Sequence, residues 1–444
     1  MPQVSHENPK IREMTFESST SMLPDLIFSE MAENLIGSEI IKIAAEVNEK
    51  IIKGAQIHNL TIGDFNPKIF PIPELMRDEI ISAYMEGQTN YPPANGIPEL
   101  RKSVANFINT FQGLSYSSDE ILIAAGARPL IYTLFQTLLD KGEKVIVPVP
   151  SWNNNHYCHL TAADSIYIET KAENNFMPTA DEIRPFLKDA CLLALCSPLN
   201  PTGTTFTSEG LQEICEMVLS ENKRRKNGEK PLYILYDQIY WVLTFGNTKH
   251  YNPVSLVPEL KNYTLFVDGA SKAFAATGIR VGWSFGPKEI IEKMKTILGH
   301  IGAWAPKAEQ YAVARFLNEK EQLENYLTHF KNEVHERLNA FYSGFIKLQK
   351  EGFPVHAIEP QAAIYLTIKF DLKNLKTEQG IVLKETKDIT AYLLEEAGFA
   401  IVPFYAFGSS PDSTWYRLSV GNCKLEEVEM IMKKLKEALT KLSQ

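Results

Sequence analysis

The chain has 444 residues, of which 44% are hydrophobic and 22% charged, so it can bury a large core and favours a large domain with a smaller one. Its formal net charge of -9 argues against a nucleic-acid partner. The five cysteines include no CxxC pair, which argues against a disulfide framework and a structural zinc site, and we expect no bound metal. No secretory signal and no run of about 18 apolar residues occurs, so we expect a cytoplasmic protein without membrane contact.

Helical and strand patterns alternate along the chain. Residues 1–36 have the pattern of an N-terminal arm or extension without its own core, and a helical pattern opens the segment 37–60, which we assign to a small domain and linker. Residues 61–319 alternate buried-strand patterns with amphipathic helices and form the predicted large domain. Residues 320–444 form the predicted small C-terminal domain. This alternation predicts an α/β fold with helices on both faces of a sheet.

Particular segments give the strongest local signals. An amphipathic helix is predicted over residues 98–111, with Gly113 as its stop. A second helical stretch covers residues 307–350. The patterns of short buried strands occur at residues 121–124, 144–149, 192–196, 232–236 and 263–267.

Three polar motifs follow predicted strands. Lys272 and Arg280 stand in one of them, and a desolvated lysine can form Schiff bases while arginine pairs with phosphate. Asn200 lies in a Pro- and Gly-rich turn, and Asp237 and Tyr240 follow a third strand. Each motif alone is also typical of a solvated charge, a plain turn or a helix cap. Because open α/β sheets bind ligands at the carboxyl ends of their strands, the three together predict one site.

The segments TLFVDGASKAFAATGIRVGW, SPLNPTGT and YDQIY resemble fold-type I pyridoxal-phosphate-dependent aminotransferases of class I/II. Within that family, the resemblance is strongest to the branch of bacterial aspartate aminotransferases, and it runs from about Gly37 to the C-terminal helix. It implies a large domain with a mostly parallel seven-stranded sheet flanked by helices, and a smaller α/β domain. It also implies pyridoxal 5'-phosphate as cofactor and ping-pong transfer of an amino group from an L-amino acid to a 2-oxo acid, with aspartate and 2-oxoglutarate as the default pair.

The resemblance implies roles around the cofactor ring. Lys272 resembles the Schiff-base lysine, which afterwards moves a proton between substrate and cofactor. Asp237 would face the pyridine nitrogen and keep it protonated. Tyr240 and Asn200 would donate hydrogen bonds to the phenolic oxygen, and Trp152 would stack on the ring.

The resemblance also implies a phosphate site and a dimer. Gly126, Ala127 and Arg128 precede a predicted helix, so their backbone amides would bind the phosphate at its N-terminus. Arg280 would add a charge pair. The family forms homodimers with shared active sites, and Tyr91 matches the tyrosine that reaches the neighbour's phosphate.

On the substrate side, Arg417 resembles the arginine that binds the α-carboxylate, and Gly63 matches a backbone position beside it. Trp152 and Asn200 would also face the substrate. Spacing identifies no second cation for a distal carboxylate, so an aromatic or broad-specificity aminotransferase stays open, as does a β-lyase acting on C–S bonds. A cofactor-sensing regulator is less favoured, since the N-terminal extension is too short for a DNA-binding module.

Some positions depart from the family pattern. Gly269 stands where many members carry a hydroxyl, so one phosphate contact is expected to be missing or replaced, and Gln238 stands where Glu is usual. Phe404 and Tyr405 occupy a loop that often reads Pro-Gly, which predicts a reshaped side-chain pocket. His156 is a candidate support for the Asp237 carboxylate, at a spacing one residue off.

Overall fold

The computed structural model describes residues 27–35, 37, 39–152 and 154–444. The chain forms two compact units, residues 1–35 and residues 36–444. The described part of the first unit contains a short helix, α1 (Glu30–Glu33). Most of the predicted arm therefore lies outside the described residues, and the predicted boundaries after residues 60 and 319 stay predictions.

The second unit alternates helices and strands, as the sequence pattern predicts. Its helices are α2 (Glu39–Ile52), α3 (Glu74–Met85), α4 (Pro98–Gln112), α5 (Ala127–Leu138), α6 (Asn154–Thr161), α7 (Ala180–Ile183), α8 (Ser208–Arg224), α9 (Pro253–Leu256), α10 (Ala270–Ala273), α11 (Lys288–Ile301), α12 (Lys307–Asn318), α13 (Lys320–Lys350), α14 (Thr386–Ala397) and α15 (Val428–Thr440). Its strands are β1 (His58–Asn59), β2 (Ile121–Ala124), β3 (Lys144–Val149), β4 (Asp164–Glu169), β5 (Ala190–Cys196), β6 (Tyr233–Asp237), β7 (Thr264–Gly269), β8 (Gly282–Phe285), β9 (Val355–Ala357), β10 (Tyr365–Phe370), β11 (Phe399–Ala400), β12 (Val402–Pro403) and β13 (Trp415–Ser419).

A seven-stranded sheet dominates the second unit, in the order β2-β8-β7-β6-β5-β3-β4. Strands β7, β6, β5, β3 and β4 are parallel neighbours, and β8 runs antiparallel to both β7 and β2. The predicted α/β fold with a mostly parallel seven-stranded sheet is therefore confirmed.

Side chains of the large sheet alternate between two apolar cores. Val145 and Val147 on β3 pack with helices α5 and α11 on one face, while Ile146 between them joins the larger core on the other face. Both faces are covered in the interior of the sheet, which is why strands such as β3 and β5 are apolar at nearly every position, whereas the edge strand β4 is partly exposed. Burial on both sides also fixes the register of the inner strands, since a slip by one residue would exchange the two faces.

Two smaller sheets complete the unit. Strands β12, β13, β10 and β9 form an antiparallel sheet in that order, and β1 pairs in parallel with β11. The antiparallel sheet contributes β10 and β13, which contain Tyr365 and Arg417, to the site described below.

Local predictions agree with the observed elements to within a few residues. Strand β3 has the predicted bounds, and the predicted helix over residues 98–111 lies within α4. Gly113 ends that helix in the left-handed conformation, with φ of 66°, a conformation that glycine adopts without a Cβ clash. The predicted helical stretch 307–350 contains two helices, because Glu319 has non-helical dihedral angles.

Among the described residues, every helix is too short or too polar to span a lipid bilayer. The predicted cytoplasmic location stays a prediction.

Candidate active site

A cavity of about 460 Å³ opens at the carboxyl ends of the parallel strands. Strands β5, β6 and β7 are in register there, with Cys196 opposite Asp237 and Asp237 opposite Val267. The register brings together the three motifs that follow these strands. The predicted site residues that line this cavity are Gly63, Ala127, Arg128, Trp152, Asn200, Asp237, Tyr240, Lys272, Arg280 and Arg417.

Lys272 lies in the short helix α10, directly after β7. Its Nζ donates a hydrogen bond to the carbonyl oxygen of Gly63 at 2.6 Å. Burial lowers the pKa of Lys272 to about 8, and the charges of nearby arginines lower it further, while Asp64 opposes the shift. The amine is thus held by a neutral acceptor and is more easily deprotonated than an ordinary lysine, which a nucleophilic role requires.

Asp237 ends β6 and points a carboxylate into the cavity. In the described part of the chain, its side chain accepts one hydrogen bond, from the backbone amide of Ile239 at 3.0 Å, and forms no ion pair. Burial raises the pKa of Asp237 to about 6. A buried carboxylate without a cation is costly, so the site is suited to a ligand that brings a protonated nitrogen.

An anion site lies at the N-terminus of α5. Gly126, with φ of 92°, precedes the helix, and a side chain there would collide with the guanidinium of Arg280. Arg280 donates to the carbonyl oxygens of Thr277 at 2.6 Å and Ala125 at 2.8 Å, which fixes its position beside the helix terminus. The first backbone amides of α5 and a fixed guanidinium together suit a phosphate. Gly126 itself is not in the wall of the cavity but makes room for Arg280.

Arg417 on β13 is buried, with 1% of its surface exposed. It donates to Oδ1 of Asn200 at 3.0 Å and to the carbonyl oxygen of Thr61 at 2.5 Å. Its Cζ lies 4.6 Å from the ring centroid of Tyr365 and 4.9 Å from that of Phe407. No carboxylate of the described residues pairs with it, and its Nε has no partner, so it is suited to an anionic ligand.

Tyr240 and Tyr365 meet at the base of the cavity. Their hydroxyl oxygens are 2.6 Å apart, and either can donate the hydrogen bond. Gly63 lies beside this pair, and a Cβ at Gly63 would be 2.6 Å from the Tyr365 hydroxyl oxygen. The lack of a side chain at Gly63 therefore leaves room for the tyrosine pair. The carbonyl oxygen of Gly63 meanwhile accepts the hydrogen bond from Lys272.

The outer wall combines aromatic, cationic and aliphatic side chains. The Cζ of Arg128 lies 5.4 Å from the ring centroid of Trp152. Ile40, Ile41 and Ala44 on α2 line the same cavity. Among the described residues, Arg128 forms no ion pair.

Several residues of the site were not singled out from the sequence. Ser271 and Thr277 line the cavity, and they lie in the same motif as Lys272. Asp268 in that motif is fully buried and accepts hydrogen bonds from Trp241 Nε1 and from the following backbone amide, each at 2.7 Å. Through these hydrogen bonds, Asp268 links Trp241 in the loop after β6 to the end of β7. Tyr365 stands in no motif, so no local signal identified it.

The departure at Gly269 has a steric reason. A Cβ there would be 2.8 Å from the Cα of Gly282 and 3.0 Å from the carbonyl oxygen of Val281. The backbone leaves no room for a hydroxyl-bearing side chain at this position. Ser271, which lies 3.5 Å from Arg280 Nη1, brings a hydroxyl to the same region.

The expectation for the loop at residues 402–405 is not met in this cavity. Phe404 is buried against Phe176, and neither it nor Tyr405 is among the lining residues. Phe407, slightly further along, contacts Arg417 instead. Phe407 thus acts on the arginine, and none of these three aromatic residues lines the cavity.

Two further candidates lie apart from the cavity. Tyr91 is 82% exposed and packs edge-on against Trp304 at 5.3 Å, outside the cavity of its own chain. Among the described residues, no hydrogen bond joins His156 to Asp237. Burial raises the pKa of the Tyr157 phenol on helix α6 to about 12, and the charge of Asp237 adds to this rise.

The chain is similar to known proteins of one family. The family described as "Aminotransferase class I and II" matches residues 55–435. An aspartate aminotransferase of Geobacillus stearothermophilus is 32% identical over 386 residues, which cover 86% of this chain and 91% of that protein. The crystal structure of an aspartate aminotransferase from Rhizobium meliloti superposes with a TM-score of 0.86 at 27% identity and covers 94% of this chain and 100% of its own. An aspartate aminotransferase of Thermus thermophilus with maleate superposes with a TM-score of 0.82 at 25% identity, covering 93% and 100%.

The lowered pKa of Lys272 predicts selective amine reactivity in the ligand-free protein. Because the neutral amine is the reactive form, modification of Lys272 by a small acylating reagent should be half-maximal near pH 8, against about 10.4 for an ordinary lysine. Peptide mass spectrometry over a pH series measures this, with exposed lysines as internal comparison. Asp64→Asn should move the midpoint lower still, since Asp64 favours the charged form. A midpoint that stays at the value of an ordinary lysine would contradict the assignment.

Proposed function

The chain belongs to the aminotransferase class I and II family and is an aminotransferase, and we propose that it uses pyridoxal 5'-phosphate to move amino groups between dicarboxylic substrates. Aspartate and 2-oxoglutarate are the default pair. The observation that carries the proposal is the convergence of Lys272, Asp237 and Arg280 on one cavity.

The residues present fit this cofactor. The Asp237 carboxylate has no cation partner among the described residues, which suits a protonated pyridine nitrogen. Arg280 and the amides at the start of α5 suit its phosphate. Tyr240 and Asn200 supply donors for its phenolic oxygen, since Asn200 uses only its carbonyl oxygen to bind Arg417. Trp152 in the wall offers a ring for stacking.

When bound, pyridoxal phosphate supplies an aldehyde that condenses with amines and a ring that withdraws electrons from the substrate α carbon. Lys272 would hold the aldehyde, since its amine is readily deprotonated. Its Nζ, when free, would take the proton from the substrate Cα and return a proton later in the cycle. Asp237 would keep the ring nitrogen protonated, and Arg417 would orient the α-carboxylate.

Dicarboxylic substrates are proposed because of Arg128. Arg417 is assigned to the substrate α-carboxylate and Arg280 to the cofactor phosphate. Arg128 is a further cation in the wall of the cavity, and it forms no ion pair among the described residues. Its stacking on Trp152 holds it at the cavity, so it is positioned to receive a distal carboxylate. The spacing of residues in the sequence could not identify this role.

A second candidate, an aromatic or broad-specificity aminotransferase, is favoured by a different observation. Ile40, Ile41 and Ala44 on α2 form an aliphatic part of the same wall. An apolar substrate side chain would be buried against them. The two candidates make opposite predictions for Arg128.

We also propose a homodimer in which Tyr91 completes the partner's phosphate site. In support, Tyr91 is 82% exposed and its ring packs against Trp304. Tyr84 and Met85 at the end of α3 are also exposed and add apolar surface of the kind that occurs at protein interfaces.

The central test is a spectrum of the purified protein with added pyridoxal phosphate. A visible band should appear and should disappear when an amino acid donor is added alone, with formation of a stoichiometric amount of its 2-oxo acid. Lys272→Ala should lose multiple turnover by roughly 10⁴-fold or more, because both the amine nucleophile and the proton carrier are removed. Lys53→Ala, at an exposed lysine, is the control. Substantial multiple turnover by Lys272→Ala would contradict the role proposed for Lys272. Release of pyruvate and ammonia by the unaltered enzyme, without an oxo-acid acceptor, would indicate a β-lyase.

Replacement of Asp237 by Asn should slow Cα proton transfer, since a neutral ring nitrogen withdraws electrons poorly. The expected loss is roughly 10²- to 10⁴-fold in the half-reaction with a single donor. A Cα-deuterated donor should then show a larger isotope effect than with the unaltered enzyme. An unchanged half-reaction rate in a variant that still binds the cofactor would refute this role.

Replacement of Arg128 by Gln should separate the substrate classes. With aspartate or 2-oxoglutarate, kcat/KM should fall roughly 10- to 100-fold, because one charge-assisted contact is lost. With phenylalanine it should change little. Arg184→Gln, at an arginine with 61% of its side chain exposed, is the matched control. Equal losses for both substrate classes would argue against a distal-carboxylate role, and high initial activity with phenylalanine would favour the second candidate.

A further inference from the structure

Tyr365 lines the cavity and has no role in the chemistry proposed above. It comes from β10 in the antiparallel sheet and is 1% exposed. Its hydroxyl contacts the Tyr240 hydroxyl at 2.6 Å, and its ring faces the Arg417 guanidinium at 4.6 Å. Tyr365 therefore touches both the residue expected to bind the cofactor's phenolic oxygen and the residue expected to bind the substrate.

The surroundings of the two phenols favour Tyr365 as the donor. Burial raises the pKa of both phenols, and more for Tyr240, while the Arg417 guanidinium, 4.6 Å from the Tyr365 ring centroid, opposes the rise at Tyr365. If Tyr365 donates to Tyr240, the Tyr240 O–H is free to donate into the cavity. Hydrogen bonds in such a chain strengthen one another, so Tyr240 becomes a better donor than an isolated phenol.

On the basis of the proposed function, we propose that Tyr365 is a positioning residue that aims and strengthens the Tyr240 hydrogen bond to the cofactor's phenolic oxygen. A stronger donor stabilises the anionic form of that oxygen. The negative charge on this oxygen attracts the proton of the nitrogen that would join Lys272 to the cofactor. A stronger hydrogen bond to the oxygen disperses that charge, so the proton affinity of the nitrogen falls. Tyr365 therefore tunes the pH at which the bound cofactor changes its visible absorption.

Other titratable groups face the same pair and must stay unchanged in the test. They are Arg417 on β13, Cys196 at the end of β5, Asp64 in the loop after β1, and Lys272 on α10. The change Tyr365→Phe removes one oxygen and keeps the ring that stacks on Arg417. It therefore isolates the hydroxyl from the stacking contact.

The experiment is a spectroscopic pH titration of the holoenzyme without substrate. Tyr365→Phe should raise the midpoint of the visible absorption change by roughly half a unit to one unit, since a donor to an ionised group is weakened. Tyr392→Phe is the matched control, because it removes a buried hydroxyl bonded to the Ala438 carbonyl at 2.8 Å, far along the chain from the motifs. That variant should keep the midpoint of the unaltered enzyme.

A second measurement tests whether the effect passes through Tyr240. In a Tyr240→Phe background, Tyr365→Phe should cause almost no further shift, since its acceptor is gone. An unchanged or lowered midpoint in the single variant, or an undiminished shift in the Tyr240→Phe background, would overturn the inference. If the unaltered protein shows no visible band with pyridoxal phosphate, the proposed function fails instead, so the two failures are distinguishable.

Discussion

The parallel register of β5, β6 and β7 is the constraint on which the site depends. Cys196, Asp237 and Val267 stand side by side at the end of these strands, so the segments that follow leave the sheet at one edge. Asn200, Tyr240 and Lys272 belong to those segments. Since both faces of the sheet are packed, each strand is fixed against a slip that would turn Asp237 out of the cavity. The packing of the core thus determines where the side chains of the site lie.

The charges of the cavity are unbalanced, and this imbalance indicates what it binds. Arginines at positions 128, 280 and 417 surround Lys272 and lower the pKa of its amine. Asp64 and Asp237 are the carboxylates of the wall. Anions that bind the arginines neutralise them and relieve their mutual repulsion. The cavity is therefore suited to anionic groups such as a phosphate and carboxylates.

The parts of the structure that the sequence predicts are those that depend on a local pattern of residues. Strand β3 could be predicted to its ends because a short apolar run rich in β-branched residues, followed by Pro150, is typical of a buried strand. Lys272 and Asp237 could be placed together because parallel strands share an edge. The sequence does not predict that Tyr365 belongs to the site, because it contacts Tyr240 across 125 residues of chain and lies in no motif. The contribution of α2 to the wall is likewise a tertiary contact, which its amphipathic pattern does not specify.

The environment of Arg417 explains why this position requires the geometry of arginine. Its guanidinium donates to Asn200 and Thr61 while its flat faces contact the rings of Tyr365 and Phe407. A lysine ammonium has neither the planar fork nor the flat surface, so it could not keep these contacts and still present donors to a carboxylate. The same contacts tie the antiparallel sheet to the loop that carries Asn200. A single buried cation thereby contacts both Asn200, in the loop that follows β5 of the large sheet, and Tyr365, on β10 of the antiparallel sheet.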